Sequence, residues 1–282
     1  MSTGHEDSPP EWTPAAVAAA AARWRRWAPP ESALLDTGTE EVSLLHSEAT
    51  VCRAEPAGRT AAEIVDIVLA LAGDCRATIV TWPLLTGTDP PGLAEALEAY
   101  GARVVGEREL LGYPLAGPGP DLAPPADVTC RPVIDRAGLR TSAGIKAASR
   151  GLRRPPDDVL AMRAADLLPT GRRAPVHFLY LADLAGRCAG TGGYTLRDDR
   201  VCRLWGGGVL PEFRRRGVYR RLVADRVAAA HARGATLALA KARAGTSAPI
   251  LLRAGFTHYG REIRYRLRLD DPPSDPIPRR EH

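Results

Sequence analysis

The sequence predicts an α/β protein with a mixed sheet, organised as two domains. Short apolar runs typical of strands alternate with segments whose apolar residues recur at helical spacing. A Pro/Gly-rich segment, residues 116–126, divides the chain near its middle, and the predicted order of elements is similar on its two sides. At 282 residues, the chain is long enough for each domain to bury a core of its own.

The first half is predicted to hold one domain over residues 13–115, preceded by a disordered tail over residues 1–12. Thr13 and Pro14 suit the cap and first turn of an alanine-rich helix that ends near Trp27. The other predicted elements are strands over residues 42–45, 50–53 and 76–82, helices over 60–72 and 91–100, and a strand pair over 102–115 that is broken near Gly106.

The second half is predicted to hold a complete domain over residues 127–270, joined to the first by the linker 116–126 and followed by a disordered tail over 271–282. Its strands are predicted over residues 128–133, 176–182, 187–196, 201–210, 236–240 and 256–269, and its helices over 136–150 and 156–168, from Val218 onwards, and over 249–253. The predicted order is therefore β-α-α-β-β-β-α-β-α-β.

The two halves resemble each other in element order. Helix, strand, helix, glycine and strand pair follow one another over residues 60–115 and again over residues 217–269. Gly101 and Gly255 are 154 positions apart, and a second pair of glycines keeps the same spacing. This repetition indicates a duplicated fold.

The most informative segment follows the fourth strand of the second half. A basic turn of Arg214, Arg215 and Arg216 comes after that strand, and a helix starts after Gly217. Such a turn gathers backbone N–H groups and the positive end of a helix around one point, which suits a pyrophosphate. Gly217 removes a side chain where a phosphate would approach closest. An ordinary helix N-terminus with solvated arginines is the alternative interpretation.

This segment resembles motif A of the GNAT superfamily of N-acetyltransferases, whose pattern is Arg/Gln-x-x-Gly-x-Gly/Ala. Arg214, Gly217 and Tyr219 occupy the three patterned positions, and Tyr219 departs from the usual glycine or alanine. The resemblance implies a tandem N-acetyltransferase. Because residues 55–60 of the first half carry no such turn, it also implies that the first half is a degenerate GNAT-like domain that does not hold the cofactor.

Residues 247–256 resemble motif B of the same superfamily. Gly255 and Phe256 keep the end of that motif, whereas Leu251 stands where many relatives have the tyrosine that protonates the leaving thiolate. The resemblance therefore supports the fold but does not assign the proton donor.

The cofactor that the resemblance implies is acetyl-CoA, acting as a co-substrate. Its pyrophosphate is expected at the start of the helix and its pantetheine along the end of the preceding strand. The implied cofactor-binding residues are Val209, Leu210, Arg214, Arg215, Arg216, Gly217, Val218 and Tyr219. The strand over 201–210 contains no carboxylate to act as a base, so His177 and Tyr194, on neighbouring strands, are the candidate catalytic residues. A structural role is the alternative for each.

The predicted function is transfer of an acetyl group from acetyl-CoA to a primary amine of a small molecule or a protein. The alternative is a catalytically weak acyl-CoA-binding sensor or partner domain, which the departures at Tyr219 and Leu251 favour. A nucleic-acid binder ranks last, because no aromatic-interleaved basic motif accompanies the arginines. The expected partner is the amine acceptor, bound by a monomer or homodimer, with no nucleic acid and no membrane.

Composition favours a cytoplasmic location. The five cysteines are odd in number and widely spaced, which matches neither a disulfide framework nor a metal-binding pattern, so no metal site is expected. The first residues lack the basic segment of a signal peptide, and the longest apolar stretch, residues 15–22, is too short to span a bilayer.

Lys146 and Lys241 are the only lysines, so arginine carries nearly all of the positive charge behind the net +5.

Overall fold

The structure, a computed structural model, describes residues 11–24, 28–86, 91–169 and 176–269. The helices are α1 (Pro14–Ala22), α2 (Ala61–Asp74), α3 (Leu93–Ala99), α4 (Arg136–Ala148), α5 (Asp157–Leu167), α6 (Val218–His231) and α7 (Ala248–Arg253). The strands are β1 (Ala33–Asp36), β2 (Glu40–Leu45), β3 (Glu48–Ala54), β4 (Ile79–Leu85), β5 (Arg103–Pro114), β6 (Val128–Pro132), β7 (His177–Leu184), β8 (Arg187–Thr195), β9 (Val201–Val209), β10 (Leu237–Ala242) and β11 (Thr257–Arg268). The predicted mixed α/β fold is confirmed. None of the helices in the described ranges is long and apolar enough to cross a membrane.

Three elements differ from the sequence prediction. The strand β1 is not predicted, because its four residues show no alternating pattern. Residues 103–114 form one strand of twelve residues, because Gly106 adopts extended backbone and makes no turn. Helix α1 ends at Ala22, since Arg23 takes its C-cap. Trp27 lies outside the described residues, as do most of the two predicted tails, residues 1–10 and 271–282.

The chain divides into two compact units. Unit 1 comprises residues 1–24 and 109–260, and unit 2 comprises residues 25–108 and 261–282. This division differs from the predicted domain boundaries. Helix α1 belongs to unit 1, the division falls inside β5 and inside β11, and the predicted linker over 116–126 lies wholly within unit 1.

The predicted linker packs against the rest of unit 1. Leu122 is buried, and the N–H of Asp121 donates to the carbonyl of Ala254 at 3.1 Å. The hydroxyl of Tyr113 donates to the carbonyl of Pro118 at 2.8 Å. Its proline and glycine content disfavours regular secondary structure, but it does not prevent the segment from packing on a core.

In unit 1 the sheet runs β6-β7-β8-β9-β10, followed by residues 109–114 of β5 and residues 257–260 of β11. The neighbouring pairs from β6 to β9 are antiparallel, β9 and β10 are parallel, and β10 is antiparallel to β5. The pairing of β9 with β10 stops at Leu204 and Ala240. Residues 205–209 of β9 therefore extend beyond their partner, and the two strands part at this point.

In unit 2 the sheet runs β1-β2-β3-β4, followed by residues 261–268 of β11 and residues 103–108 of β5. Here β3 and β4 are parallel, as β9 and β10 are in unit 1. Helices α2 and α6 both have 14 residues, and Gly101 and Gly255 both have positive φ, at 86° and 93°. The repeated element order predicted from the sequence is thus present. Unit 1 includes residues 109–114 of β5, from the first half of the chain, and unit 2 includes residues 261–268 of β11, from the second half.

Candidate functional site

The turn before α6 forms a concave group of backbone N–H donors. Arg215 and Gly217 have positive φ, at 61° and 76°, and Gly217 takes the N-cap position without a capping side chain. In the described parts of the chain, the N–H groups of residues 215–220 have no hydrogen-bond acceptor. Such donors at the positive end of a 14-residue helix favour a bound anion.

Glycine is required at position 217 by space as well as by backbone angle. A Cβ atom there would lie 2.2 Å from Cγ and 2.7 Å from Cδ of Pro125. Both are atoms of a rigid ring, so the contact cannot be relieved by turning a side chain. Pro125, from the predicted linker, therefore forms one wall of the turn.

The three arginines of the turn have different surroundings. The guanidinium of Arg214 donates to the carbonyl of Ser149 at 3.0 Å, which ties the turn to the C-terminal end of α4. Arg215 and Arg216 are exposed, and the guanidinium of Arg216 lies 5.9 Å from the ring centre of Phe213. Arg214 therefore positions the turn, while Arg215 and Arg216 present charge to solvent beside the N–H donors.

The corresponding helix start in unit 2 is already capped. The side chain of Thr60 accepts from the N–H of Glu63, and the Glu63 carboxylate accepts from both the N–H and the hydroxyl of Thr60. This reciprocal capping box occupies the N–H groups of Thr60 and Glu63, and it places a negative charge at the helix end, which repels an anion. The start of α2 is therefore unsuited to a phosphate group.

The end of β9 has fewer backbone N–H and C=O groups available to a ligand than the sequence predicts. The N–H of Leu210 donates to the carbonyl of Ala189 at 2.9 Å, and the carbonyl of Leu210 accepts from Phe213. Val209 lies opposite Gly190 of β8. The N–H of Leu210 is therefore not available to a ligand. A ligand along β9 would instead meet residues 205–209 on the side that faces away from β8, where β10 no longer pairs.

The next two predicted site residues, at the start of α6, point in different directions. Val218 is buried against β8, where a Cβ on Gly190 would lie 2.8 Å from its Cγ1. Tyr219 is half-buried and packs on Gly207 of β9, with ring atom Cε2 3.0 Å from the position of a Cβ on that glycine. The hydroxyl of Ser247, at the start of α7, acts in the direction that lowers the pKa of the Tyr219 phenol. The Tyr219 ring therefore lies where β9 extends beyond β10.

The two candidate catalytic residues are not brought together. Tyr194 is fully buried, stacks on Phe178 at 4.7 Å, and its hydroxyl has no partner within the described residues. His177 is half-buried, and its Nδ1 lies 2.9 Å from Oγ1 of Thr195. Burial, together with the charge of Arg197, lowers the pKa of His177. Because His177 and Phe178 are adjacent in a strand, His177 and Tyr194 face opposite sides of the sheet.

One buried charge near the site was not predicted. Arg226 of α6 is 1% exposed, and its guanidinium donates to the carbonyl of Gly193 at 2.8 Å and to that of Trp205 at 3.3 Å. It sits over Gly192, where the β8–β9 register shifts. The spacing of Arg226 four positions after the buried Leu222 is the signal that could have placed it on the inner face.

Lys146 was also not singled out for the site. Its Nζ lies 5.8 Å from the ring centre of Trp205 and would be 3.7 Å from a Cβ on Gly206. The indole N–H of Trp205 donates to the hydroxyl of Thr195 at 2.9 Å, next to His177. These residues line β8 and β9 on the face that carries α4.

Comparison with known proteins agrees with this geometry. Residues 148–256, all within unit 1, match the sequence model of the acetyltransferase (GNAT) family. No curated protein matches the sequence.

Several solved structures share the fold. A GCN5-related N-acetyltransferase from Kribbella flavida is 19% identical, with 83% of this chain and 89% of that chain covered and a TM-score of 0.59. One from Sphaerobacter thermophilus is 18% identical, with coverage of 82% and 76% and a TM-score of 0.62. A tandem GNAT protein from the clavulanic acid biosynthesis pathway is 19% identical, with coverage of 89% and 86% and a TM-score of 0.58. The protein therefore has the GNAT fold, and residues 148–256 match the model of the GNAT acetyltransferase family.

Proposed function

We propose that unit 1 is an acyl-CoA-dependent N-acyltransferase that moves an acetyl group from acetyl-CoA to a primary amine of a small molecule or a protein. The observation that carries this proposal is the set of unbonded N–H donors over residues 215–220, directly after β9, in a domain that matches the acetyltransferase family. Acetyl-CoA would supply the activated acetyl group. The first half of the chain is proposed to be a GNAT-like domain that does not hold this co-substrate.

The residues of the turn fit a diphosphate. Its oxygens accept hydrogen bonds and carry negative charge, which matches backbone donors at a helix start flanked by Arg215 and Arg216. Pro125 fills the side-chain position of Gly217, so glycine is required there by the packing of the turn. An extended pantetheine would find backbone groups along residues 205–209, because β9 has no partner there on its β10 side.

A second candidate function is a catalytically weak acyl-CoA sensor. Leu251 of α7 is fully buried and aliphatic, so α7 supplies no proton donor at that position. A sensor would keep the phosphate-binding turn and lack efficient transfer.

Two measurements on the full chain separate these functions. Thermal shift with acetyl-CoA and with CoA, up to millimolar concentration, reports binding. Thiol release with spermidine, tyramine, lysine methyl ester and a lysine-containing peptide reports transfer. Binding with thiol release supports the acyltransferase, binding without release supports the sensor, and no binding contradicts both.

A matched pair of variants ties binding to the turn. Gly217→Glu places a carboxylate at the N-terminal end of α6 and should abolish the shift with acetyl-CoA. Gly234→Glu makes the same substitution beyond the other end of α6, where φ is also positive and a Cβ would have nothing within 4 Å. It should keep the shift, and a Gly217→Glu variant that also keeps the shift would place the binding site elsewhere.

A further inference from the structure

Acetyl transfer, if unit 1 performs it as proposed, needs an acid for the departing thiolate. Among the residues predicted from the sequence, Tyr194 is enclosed in the hydrophobic core and Leu251 has no acidic group. A phenol close to the end of β9 belongs to Tyr219, which departs from the family pattern.

The position of Tyr219 suits a ligand lying between the ends of β9 and β10. Its ring contacts Gly207, in the part of β9 that extends beyond the pairing with β10. Ser247, at the start of the helix that follows β10, is a neighbour that acts on the pKa of the Tyr219 phenol. The phenol therefore spans from the end of one strand to the element that follows the other. It also starts from α6, one residue after the buried Val218.

Ser247 is held in place beside the phenol. Its Oγ accepts from the N–H of Arg243 at 2.8 Å. The Ser247 hydroxyl acts on the Tyr219 phenol in the direction that lowers its pKa, which favours the phenolate.

The surroundings suit a group that is protonated at rest and can release its proton. Burial raises the pKa of the Tyr219 phenol above its usual value, so it keeps its hydrogen at neutral pH. The positive charge of Arg226 and the neighbouring Ser247 hydroxyl act in the opposite direction, because both stabilise the phenolate.

We propose that Tyr219 is the catalytic acid of this domain, supplied by α6 instead of α7. As the amine nitrogen bonds to the acetyl carbon, the carbon–sulfur bond breaks and its electron pair goes to sulfur. Sulfur takes the hydrogen of the Tyr219 hydroxyl and becomes the free thiol. The phenolate regains a proton from solvent, and the amine nitrogen loses one to solvent, so protons balance.

The kinetic test uses Tyr219→Phe, which keeps the ring on Gly207 and removes only the hydroxyl. Thiol release from acetyl-CoA is measured with the amine panel and, without acceptor, as slow hydrolysis, which breaks the same bond to sulfur. Loss of an acid should lower kcat by about 100-fold or more with KM for acetyl-CoA nearly unchanged. Tyr180→Phe, which removes a hydroxyl from the core, should keep wild-type kcat.

A binding test does not depend on turnover. CoA and desulfo-CoA are titrated by calorimetry at pH 9, where CoA carries substantial thiolate. A phenol that donates to this sulfur should make the wild type prefer CoA by about tenfold, as expected for a hydrogen bond to a charged group. Tyr219→Phe should lose this preference and keep its affinity for desulfo-CoA.

The outcomes separate this role from the proposed function. Absence of binding and turnover in the wild type contradicts the acyltransferase itself, and Tyr219 then has no thiolate to protonate. A Phe variant with wild-type kcat and wild-type preference for CoA overturns the role of Tyr219 alone. Equal loss of affinity for CoA and desulfo-CoA would show that the hydroxyl holds the ligand, and this also overturns the role as an acid.

Discussion

Replacing Gly217 by alanine should disrupt the turn before α6 more than the same change at a comparable glycine. Gly217 and Gly234 flank α6, and both have positive φ, at 76° and 88°. They differ in space, since a Cβ at Gly217 would lie 2.2 Å from Cγ of Pro125, whereas nothing lies within 4 Å of one at Gly234. Gly234→Ala therefore measures backbone strain alone, and Gly217→Ala measures strain plus collision.

The expected magnitudes follow from these two terms. A non-glycine residue in the left-handed region costs about 1–2 kcal/mol, and the lower entropy of the unfolded alanine chain returns about 0.4–1 kcal/mol. Gly234→Ala should therefore cost between about 0 and 1.6 kcal/mol. Carbon atoms in contact sit about 3.5–4.0 Å apart, so Pro125 would have to move by more than about 1 Å in Gly217→Ala. Overpacking of this kind adds about 1–3 kcal/mol.

Thermal unfolding with and without acetyl-CoA measures both effects. An added cost of about 1–3 kcal/mol corresponds to a further fall in Tm of roughly 2–12 °C. Gly217→Ala should also weaken the shift produced by acetyl-CoA, because moving Pro125 displaces the turn. Equal Tm values and equal ligand shifts in the two variants would refute the reasoning that Pro125 and a glycine together define the turn.

Three further perturbations have defined outcomes. Thr60→Ala breaks the capping box with Glu63 and should destabilise the protein by about 1 kcal/mol in urea unfolding, while acetyl-CoA affinity, checked by calorimetry, stays at the wild-type value. His177 has a pKa below 6.5 in the folded state, so folding stability should fall as pH drops from 6.5 towards that lower value; a His177→Gln variant with the same pH profile would rule out this contribution. A chain starting at residue 116 lacks β5, the strand that pairs with β10, and should aggregate because an edge of the sheet is exposed. A chain starting at residue 103 retains β5 and should elute as a smaller species in size-exclusion chromatography. Equal elution of the two chains would contradict a need for β5 at that edge.

The sequence predicts most elements and the anion-binding turn because both depend on local patterns. Apolar periodicity defines α2 and α6, and Pro211 with Gly217 marks where β9 ends and the helix begins. The sequence also shows that Tyr219 departs from the family pattern, but not where its ring goes. That direction depends on Gly207 and Ser247, which meet Tyr219 only in the folded unit.

The division into units could not be predicted from local patterns. The alternation in β5 and β11 identifies each as a strand, but a strand's own periodicity does not specify its neighbour. In the structure β10 pairs with β5 and β4 pairs with β11, so the chain order of the strands is not their order in either sheet. The Pro/Gly segment over 116–126 was predicted to be a domain boundary because its composition is typical of turns. Composition does not indicate whether such a segment packs on a core, as this one does in unit 1.

The pairing of β4 with β11 has a consequence for synthesis on the ribosome. Leu85 pairs with Glu262, so about 180 residues are made between one strand and its neighbour. At about 5–20 residues per second this takes roughly 10–35 s. Throughout that interval, the open edge of β4 has no partner from its own unit. Unit 2 therefore completes its sheet only after nearly all of unit 1 has been translated, and the order in which the chain emerges is not the order in which its domains can finish folding.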